Sequence, residues 1–135
     1  MRAVLDPNVL IAALLSPSGT PATLIIRWIA GDYELVISEQ LLEELGRVLA
    51  YPKIRSKISR EDADAFLDRM RADAETANDP PTPQRRSADS SDDYLLALAE
   101  AEHALLISGD KHLLELAHAF PILTPRAFLE TLEPG

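Results

Sequence analysis

The chain has 135 residues and a net charge of −9, and 47% of its residues are hydrophobic, so it is long enough to bury a sizeable core. The acidic excess argues against a general nucleic-acid coat, since phosphate affinity comes from Lys and Arg, but it does not exclude a nuclease whose cation offsets the charge. Cysteine is absent, which excludes disulfides and thiolate metal sites, and no apolar run reaches the about 18 residues of a membrane-spanning helix.

Short apolar runs that suit buried strands alternate with segments of helical periodicity. Strands are predicted at 3–5, 33–37, 104–108 and 121–124, and helices at 8–15, 22–30, 39–49, 59–78, 92–103, 111–118 and 125–132. The Pro-rich stretch 79–91 is predicted to be a long loop with a short extended edge segment. Because helices separate the strands and hairpin turns are lacking, we expect a parallel sheet covered on both faces, in one domain over residues 1–135. We expect the protein in the cytoplasm.

Two aspartates follow predicted strands directly. Asp6 comes after the first strand, and Pro7 marks the start of the next helix because proline fixes φ and lacks an N–H. Asp110 repeats this position after the third strand, with the Ser108 hydroxyl nearby. Ligands bind outside the carboxyl ends of strands in open α/β sheets, so both are candidate metal ligands or catalytic groups. The alternative is that each caps the helix that follows it.

Further carboxylates lie on predicted helices. Glu43 points away from the apolar stripe of its helix and has Arg47 four residues on, a pattern typical of a solvent-side ion pair. Glu44 stands at the edge of that stripe, where a carboxylate needs a partner, unless the amphipathic pattern is simply imperfect. Asp92 and Asp93 begin a later helix, where the helix dipole alone would favour acidic residues. Asp93 leads into the buried run and is the better inward candidate.

These carboxylates could converge on one site if the strands before Asp6 and Asp110 are neighbours in the sheet. Two carboxylates about 4 Å apart repel by roughly 4 kcal/mol at an effective dielectric constant near 20, so a group of them requires a cation. Oxygen ligands without His or Cys select Mg²⁺ or Mn²⁺. Such a site suits metal-dependent hydrolysis of phosphodiester bonds.

Four motifs occur in a fixed order: VLDPN at 4–8, SxxLLEELxxVL at 38–49, DDxLLALA at 92–99 and LISGDK at 106–111. In order and spacing they resemble those of the PIN-domain ribonucleases, especially the VapC-like toxin components of prokaryotic toxin–antitoxin modules. The resemblance implies a PIN-like, Rossmann-like three-layer α/β/α sandwich with a central parallel sheet. It also implies an Mg²⁺- or Mn²⁺-dependent endoribonuclease that forms a homodimer and is held inactive by an antitoxin.

The same resemblance implies roles for individual residues. The catalytic acidic metal ligands would be Asp6, Glu44, Asp93 and Asp110, supported by Asn8, Ser108 and the auxiliary acid Asp92. Three positions depart from the family pattern. Pro7 stands where Thr is usual, and Ser108 stands where Thr is often found, which is a mild change. His112 stands where an acidic residue is common, so one bound metal is an alternative to two.

Lys53, Arg55, Lys57 and Arg60 form a dense basic patch, whose first three residues are the predicted contact with the RNA backbone, and a solvated surface is the alternative. Two rival functions remain open. A catalytically weak or inactive PIN-fold module that binds RNA or protein is suggested by the family departures at positions 7 and 112. A phospho-acceptor signalling module would also place Asp at strand ends beside a Lys, but the helical Glu44 and the paired aspartates at 92 and 93 fit it poorly.

Overall fold

A computed structural model of the chain describes residues 1–81 and 92–133. Within these residues there are five strands: β1 (Arg2–Leu5), β2 (Glu34–Ser38), β3 (Glu75–Ala77), β4 (Leu105–Ile107) and β5 (Ile122–Leu123). The helices of the same part of the chain are α1 (Pro7–Leu15), α2 (Thr20–Ile29), α3 (Glu39–Leu49), α4 (Pro52–Arg55), α5 (Arg60–Asp73), α6 (Asp93–Ala101), α7 (Lys111–Leu114) and α8 (Pro125–Leu132).

The five strands form one parallel sheet in the order β3-β2-β1-β4-β5. In β1, Ala3, Val4 and Leu5 are all fully buried, as expected for a strand covered on both faces rather than on one. Helix α6 packs against β1 and β4, while α1 contacts α2 and α3, and α2 contacts α8. The α/β/α sandwich with a central parallel sheet is therefore confirmed.

Side-chain caps explain where several helices begin. The Ser38 hydroxyl accepts a hydrogen bond from the backbone N–H of Leu41 at 3.2 Å, and the Thr124 hydroxyl accepts one from Ala127 at 3.1 Å. Each satisfies one of the N–H groups that the first turn of a helix leaves without an intrahelical partner. Ser38 also ends β2, so the change from strand to helix occurs at a single buried residue.

The structure corrects the predicted helix over 59–78, which is too long. Helix α5 ends at Asp73, and residues 75–77 form β3, which pairs with β2 in the register Val36↔Glu75. Pairing with a neighbouring strand outweighs the helical spacing at this point, as tertiary contacts often do. The edge strand thus precedes the predicted edge segment, whose residues 82–91 lie outside the described part of the chain.

Two smaller differences concern short helices. Helix α4, which Pro52 begins, was not predicted, and α7 ends at Leu114 instead of 118. None of the described helices is by itself long and apolar enough to cross a membrane. Helices α1 and α2 meet that test only when taken together, and they are bent by 100° relative to each other.

Candidate active site

The strand order reverses between β1 and β4, because the chain builds β2 and β3 on one side of β1 and then crosses to the other side. Ligands of open α/β sheets bind outside the carboxyl ends of the strands at such a switch point. Leu5 of β1 lies opposite Ile107 of β4, so Asp6 and Ser108 leave the sheet side by side. We call this margin of the sheet, where β1, β2 and β4 end, the carboxyl edge. The strands before Asp6 and Asp110 are neighbours, so the condition for bringing these two aspartates to one edge is met.

Asp6 is the buried centre of the carboxyl edge, with only 4% of its surface exposed. Its Oδ1 accepts a hydrogen bond from the backbone N–H of Asn8 at 3.0 Å, and its Oδ2 accepts one from the Ser108 hydroxyl at 2.8 Å. Burial raises the pKa of Asp6, these two hydrogen bonds oppose the rise, and the charges of Glu44 and Asp110 add to it. The charges of Glu44 and Asp110 therefore both act on Asp6.

Asp110 is joined to Asp6 through Ser108. The backbone N–H of Asp110 donates to the Ser108 hydroxyl at 3.0 Å, and Asp110 Oδ1 accepts from the backbone N–H of His112 at 2.7 Å. Asp6 makes the same bond to the residue two positions on, so both aspartates do cap their helices. Capping uses one oxygen of each carboxylate, and Asp110 Oδ2 receives no hydrogen bond from the described residues. Capping and ligand binding are compatible at both positions.

Glu44 finds its partner in a tyrosine of the facing helix. Glu44 is half-buried on α3, and the hydroxyl of Tyr94 on α6, a residue that is 5% exposed, donates a hydrogen bond to Glu44 Oε2. Burial raises the pKa of Tyr94, followed by its bond to Glu44 and by the charges of Glu44, Asp6 and Asp92. The hydroxyl therefore stays protonated and acts as the donor. It also lies within electrostatic range of three carboxylates.

The two aspartates at the start of α6 differ in burial. Asp93, the first residue of α6, is 3% exposed, whereas Asp92 before it is half-buried. The Asp92 side chain makes no capping hydrogen bond to the helix, so capping does not account for this residue. The greater burial of Asp93 agrees with the prediction that it is the more inward of the pair.

A groove of about 370 Å³ opens beside Glu44, and it is lined by Gln40, Glu43, Glu44, Arg47 and Tyr94. Tyr94 and Gln40 were not singled out from the sequence. A signal existed for Tyr94, because a tyrosine in a buried helical run needs a hydrogen-bond partner for its hydroxyl. Glu43 and Arg47 are exposed, and the ion pair predicted between these two described residues is not formed, unlike the i,i+4 pairs of α5.

Among the described residues, Asn8 and Pro7, which follow Asp6, contribute no side-chain hydrogen bond to the carboxyl edge. Asn8 is exposed and reaches Asp6 through its backbone N–H, while its side chain makes no hydrogen bond within the described part of the chain. Pro7 is buried at the first position of α1. A proline there forfeits no hydrogen bond, because the capping bond to Asp6 comes from the next residue along.

The basic patch does not meet the carboxylates. Lys53 and Lys57 are exposed, whereas Arg55 is half-buried and its Nη1 is buried without a hydrogen-bond partner among the described residues. Lys57 lines a groove with Leu14, near the end of α1 that is remote from Asp6. From Pro7 to Leu14 the axis of α1 rises by about 10 Å. The patch is therefore beside the far end of α1 and not at the carboxyl edge.

The donor chemistry at the carboxyl edge fits a hard divalent cation. Asp6 is buried with no cationic side chain bonded to it among the described residues, and Glu44 and Asp110 disfavour its charge further. In the described ranges, no three carboxylate or imidazole groups are arranged to hold one ion between them. Mg²⁺ usually keeps several waters and takes only one or two carboxylates, and oxygen donors with water suit Mn²⁺ as well. The arrangement fits an ion held partly by water rather than by an all-protein cage.

Comparison with known proteins gives matches over most of the chain. A family model described as PIN domain matches residues 2–112. The uncharacterized protein MJ1680 of Methanocaldococcus jannaschii is 25% identical over 143 residues, an alignment that covers 98% of this chain and 92% of that protein.

Two solved structures share the fold. PAE2754 from Pyrobaculum aerophilum has a TM-score of 0.65 at 17% identity, covering 98% of this chain and 89% of that chain. VapBC2 from Rickettsia felis, solved bound to a DNA fragment from their promoter, has a TM-score of 0.62 at 15% identity, covering 92% of this chain and 98% of that chain.

The family match includes the strand ends and helices that carry Asp6, Glu44, Asp93 and Asp110. The strand order and the parallel pairing agree with the similarity to these two structures. The chain belongs to the PIN domain family.

Proposed function

We propose that the protein is a divalent-metal-dependent endoribonuclease, which cleaves RNA phosphodiester bonds by metal-activated water and serves as the toxin of a toxin–antitoxin pair. PIN domains are generally nucleases. The observation that carries the proposal is the buried carboxylate of Asp6 at the switch point, whose pKa is raised by burial and by Glu44 and Asp110. A cation at the carboxyl edge would favour the charged form of Asp6.

The proposed catalytic residues are Asp6, Glu44, Asp93 and Asp110, which would bind the metal directly or through bridging waters, with Asn8, Asp92 and Ser108 in supporting roles. A bound Mg²⁺ or Mn²⁺ ion would bind phosphate oxygens, activate water and stabilise the leaving oxygen. The chain itself orients the carboxylates. Ser108 and the backbone N–H of Asn8 each hold one oxygen of Asp6, so this side chain has little freedom to rotate away.

The alternative is a catalytically weak or inactive PIN-fold module that binds RNA or protein. The departure from the family pattern at Pro7 is now a weaker argument for inactivity, because a proline at the first position of α1 loses no hydrogen bond. The departure at His112 remains an argument for the inactive module. This exposed side chain supplies no carboxylate, and the hydrogen bond to Asp110 comes from the backbone N–H of His112. One metal is therefore the simpler proposal for this site.

The proposal includes protein partners, namely an antitoxin and a second copy of the chain in a homodimer. Ile26 and Ile29 support a protein contact, because these apolar residues on one face of α2 are 60% and 52% exposed. Sedimentation equilibrium tests the homodimer, and a monomer at all concentrations would contradict it. The same proposal includes a single domain over residues 1–135 and a cytoplasmic location of the protein.

The decisive experiment is an RNA cleavage assay with Mg²⁺, Mn²⁺ or EDTA. We expect cleavage with either ion and none with EDTA or with Asp6→Asn, which keeps the size of the side chain and removes its charge. Glu115→Gln is a matched control, because it also replaces a carboxylate by an amide, at an exposed residue outside the proposed site. RNA binding without cleavage in any metal would favour the inactive binding module.

A further inference from the structure

Two side chains near Glu44, those of Tyr94 and Arg47, could bind its carboxylate, and only Tyr94 does so. Tyr94 donates a hydrogen bond to Glu44 Oε2 across the groove between α3 and α6. Arg47 lies three residues along α3, and residues at this spacing are neighbours on a helix surface. Arg47 nevertheless forms no ion pair with Glu44 or with any other described residue, although it lines the same groove.

The choice of partner changes the net charge at this position. An arginine would neutralise Glu44 and hold it by charge-assisted hydrogen bonds. A phenol hydroxyl fixes the orientation but leaves the full negative charge in place. Helix α6, which carries Tyr94, packs against β1, and Asp6 directly follows β1. The bond from Tyr94 therefore holds Glu44 on the side of the groove that faces the end of β1, where the charge of Glu44 acts on Asp6.

We propose that Tyr94 is a positioning residue, whose hydroxyl holds the Glu44 carboxylate toward Asp6 and away from Arg47. Glu44 thereby keeps its charge for a divalent cation at the carboxyl edge. The inference rests on the proposed function, because it assigns Glu44 to the metal. Without the hydroxyl, Glu44 pairs with Arg47 and its contribution to the cation is lost.

The test measures binding of Mn²⁺ alone to the metal-free protein by calorimetry, with no RNA present. Tyr94→Phe keeps the ring and removes the hydroxyl. Tyr33→Phe is the matched control, because Tyr33 is 4% exposed and its hydroxyl donates to the Leu24 carbonyl at 2.8 Å, away from the carboxylates. Each variant loses one buried phenol hydrogen bond, so a general loss of packing affects both.

We expect Tyr94→Phe to weaken Mn²⁺ binding by about 10-fold or more, the usual effect of losing a group that orients a metal ligand. Tyr33→Phe binds Mn²⁺ like the wild type. Arg47→Gln in the Tyr94→Phe background restores most of the lost affinity, because it removes the competing cation. Arg47→Gln in the wild-type background is the reference, because the loss of a nearby positive charge raises cation affinity whatever Tyr94 does. A larger gain in Tyr94→Phe than in the wild type is the rescue that a merely structural role of Tyr94 would not produce.

Equal Mn²⁺ affinity in Tyr94→Phe and Tyr33→Phe would overturn the inference, and so would a failure of Arg47→Gln to restore binding. In either case a wild-type protein that binds Mn²⁺ and cleaves RNA leaves the proposed function standing. A wild-type protein that neither binds Mn²⁺ nor cleaves RNA overturns both.

Discussion

The hydroxyl of Ser108 donates a 2.8 Å hydrogen bond to Oδ2 of Asp6, and the two residues are 102 positions apart in the sequence. The same hydroxyl accepts the backbone N–H of Asp110 at 3.0 Å. One fully buried side chain thus connects the ends of two neighbouring strands and both strand-end aspartates. The geometry of the carboxyl edge depends on this hydroxyl.

Ser108→Ala is therefore expected to damage both stability and metal binding. The substitution leaves Asp6 Oδ2 and the Asp110 N–H without their partner, at a cost of about 1–3 kcal/mol in the free energy of unfolding. It also raises the pKa of Asp6 further, because the bond from Ser108 lowers it. The loss of stability is consequently larger at pH 7 than at pH 4. Urea unfolding at both pH values measures it.

Ser108→Thr is the control for that variant, since the resemblance to PIN-domain ribonucleases implies Thr as the common residue at this position. It keeps the hydroxyl and adds one methyl group in a fully buried position. We expect Mn²⁺ affinity and cleavage to survive in Ser108→Thr and to fall in Ser108→Ala. Equal losses in both variants would mean that tight packing, and not the hydrogen bond, is what matters.

Asp6→Asn is expected to stabilise the metal-free protein while it abolishes metal binding. The folded state raises the pKa of Asp6 above its ordinary value of 3.8. Below that value the group is protonated in both states, and as the pH rises through the two pKa values the charged folded form loses stability. In EDTA the Tm of Asp6→Asn should therefore exceed that of the wild type at pH 7, and the difference should vanish near pH 3.

Added metal should reverse the order of the two proteins. Mn²⁺ at 100 times its Kd stabilises the wild type by about 2.7 kcal/mol and does nothing for a protein that cannot bind it. A wild type that is more stable than Asp6→Asn in EDTA would show that the buried charge is already compensated without a metal. Differential scanning calorimetry with and without Mn²⁺ makes both comparisons.

The raised pKa of Asp6 also sets the pH dependence of metal binding. A carboxylate binds the ion only when it is deprotonated, so Mn²⁺ displaces a proton from Asp6. We expect Mn²⁺ affinity to rise with pH above the ordinary aspartate range and to level off once Asp6 is charged. Calorimetric titrations in buffers of different ionisation enthalpy count the released protons, and a flat profile above pH 4 would contradict the assignment.

The strand-end aspartates could be predicted because the signal is local. A short apolar run followed by Asp and a helix start defines Asp6 and Asp110, and the rule for parallel sheets then brings them to the same edge. The position of Glu44 at the boundary of the core followed from its angle relative to the apolar stripe of α3. Its role as a metal ligand was implied only by the resemblance to the PIN-domain ribonucleases. These inferences need only a few neighbouring residues.

The contacts that could not be predicted join distant segments. The hydrogen bond from Tyr94 to Glu44 links residues that are 50 positions apart, and no pattern in the sequence around Tyr94 identifies Glu44 as its partner. The same reason explains β3, since residues 75–77 become a strand only by pairing with β2. The apolar residues keep a helical spacing beyond Asp73, but the pairing of residues 75–77 with β2 makes them a strand.

Arg2 is expected to stabilise the fold without affecting the site. Its guanidinium donates to both Glu75 oxygens, at 2.6 and 3.2 Å, and to Glu102 Oε1 at 3.1 Å, so it ties β1 to β3 and to the segment after α6. Arg2→Gln should lower the Tm in dilute buffer. The decrease should be smaller in 1 M NaCl, because a screening length of about 3 Å already weakens the ion pairs of the wild type. Mn²⁺ binding should not change, because Arg2 is at the opposite end of β1 from Asp6, and a loss of binding would contradict this separation.

The basic patch is expected to contribute to RNA binding through Lys53 and Lys57 more than through Arg55, because only the two lysines are exposed. Each contact with a phosphate of single-stranded RNA contributes about 0.7 to the slope of log affinity against log salt. Lys53→Ala with Lys57→Ala should therefore reduce this slope by about 1.4 in EDTA, where the RNA stays intact. Adding Arg55→Ala should change little. Arg69→Ala with Arg126→Ala removes equal charge from exposed positions outside the patch, and an equal reduction in this control would show that the effect reflects net charge alone.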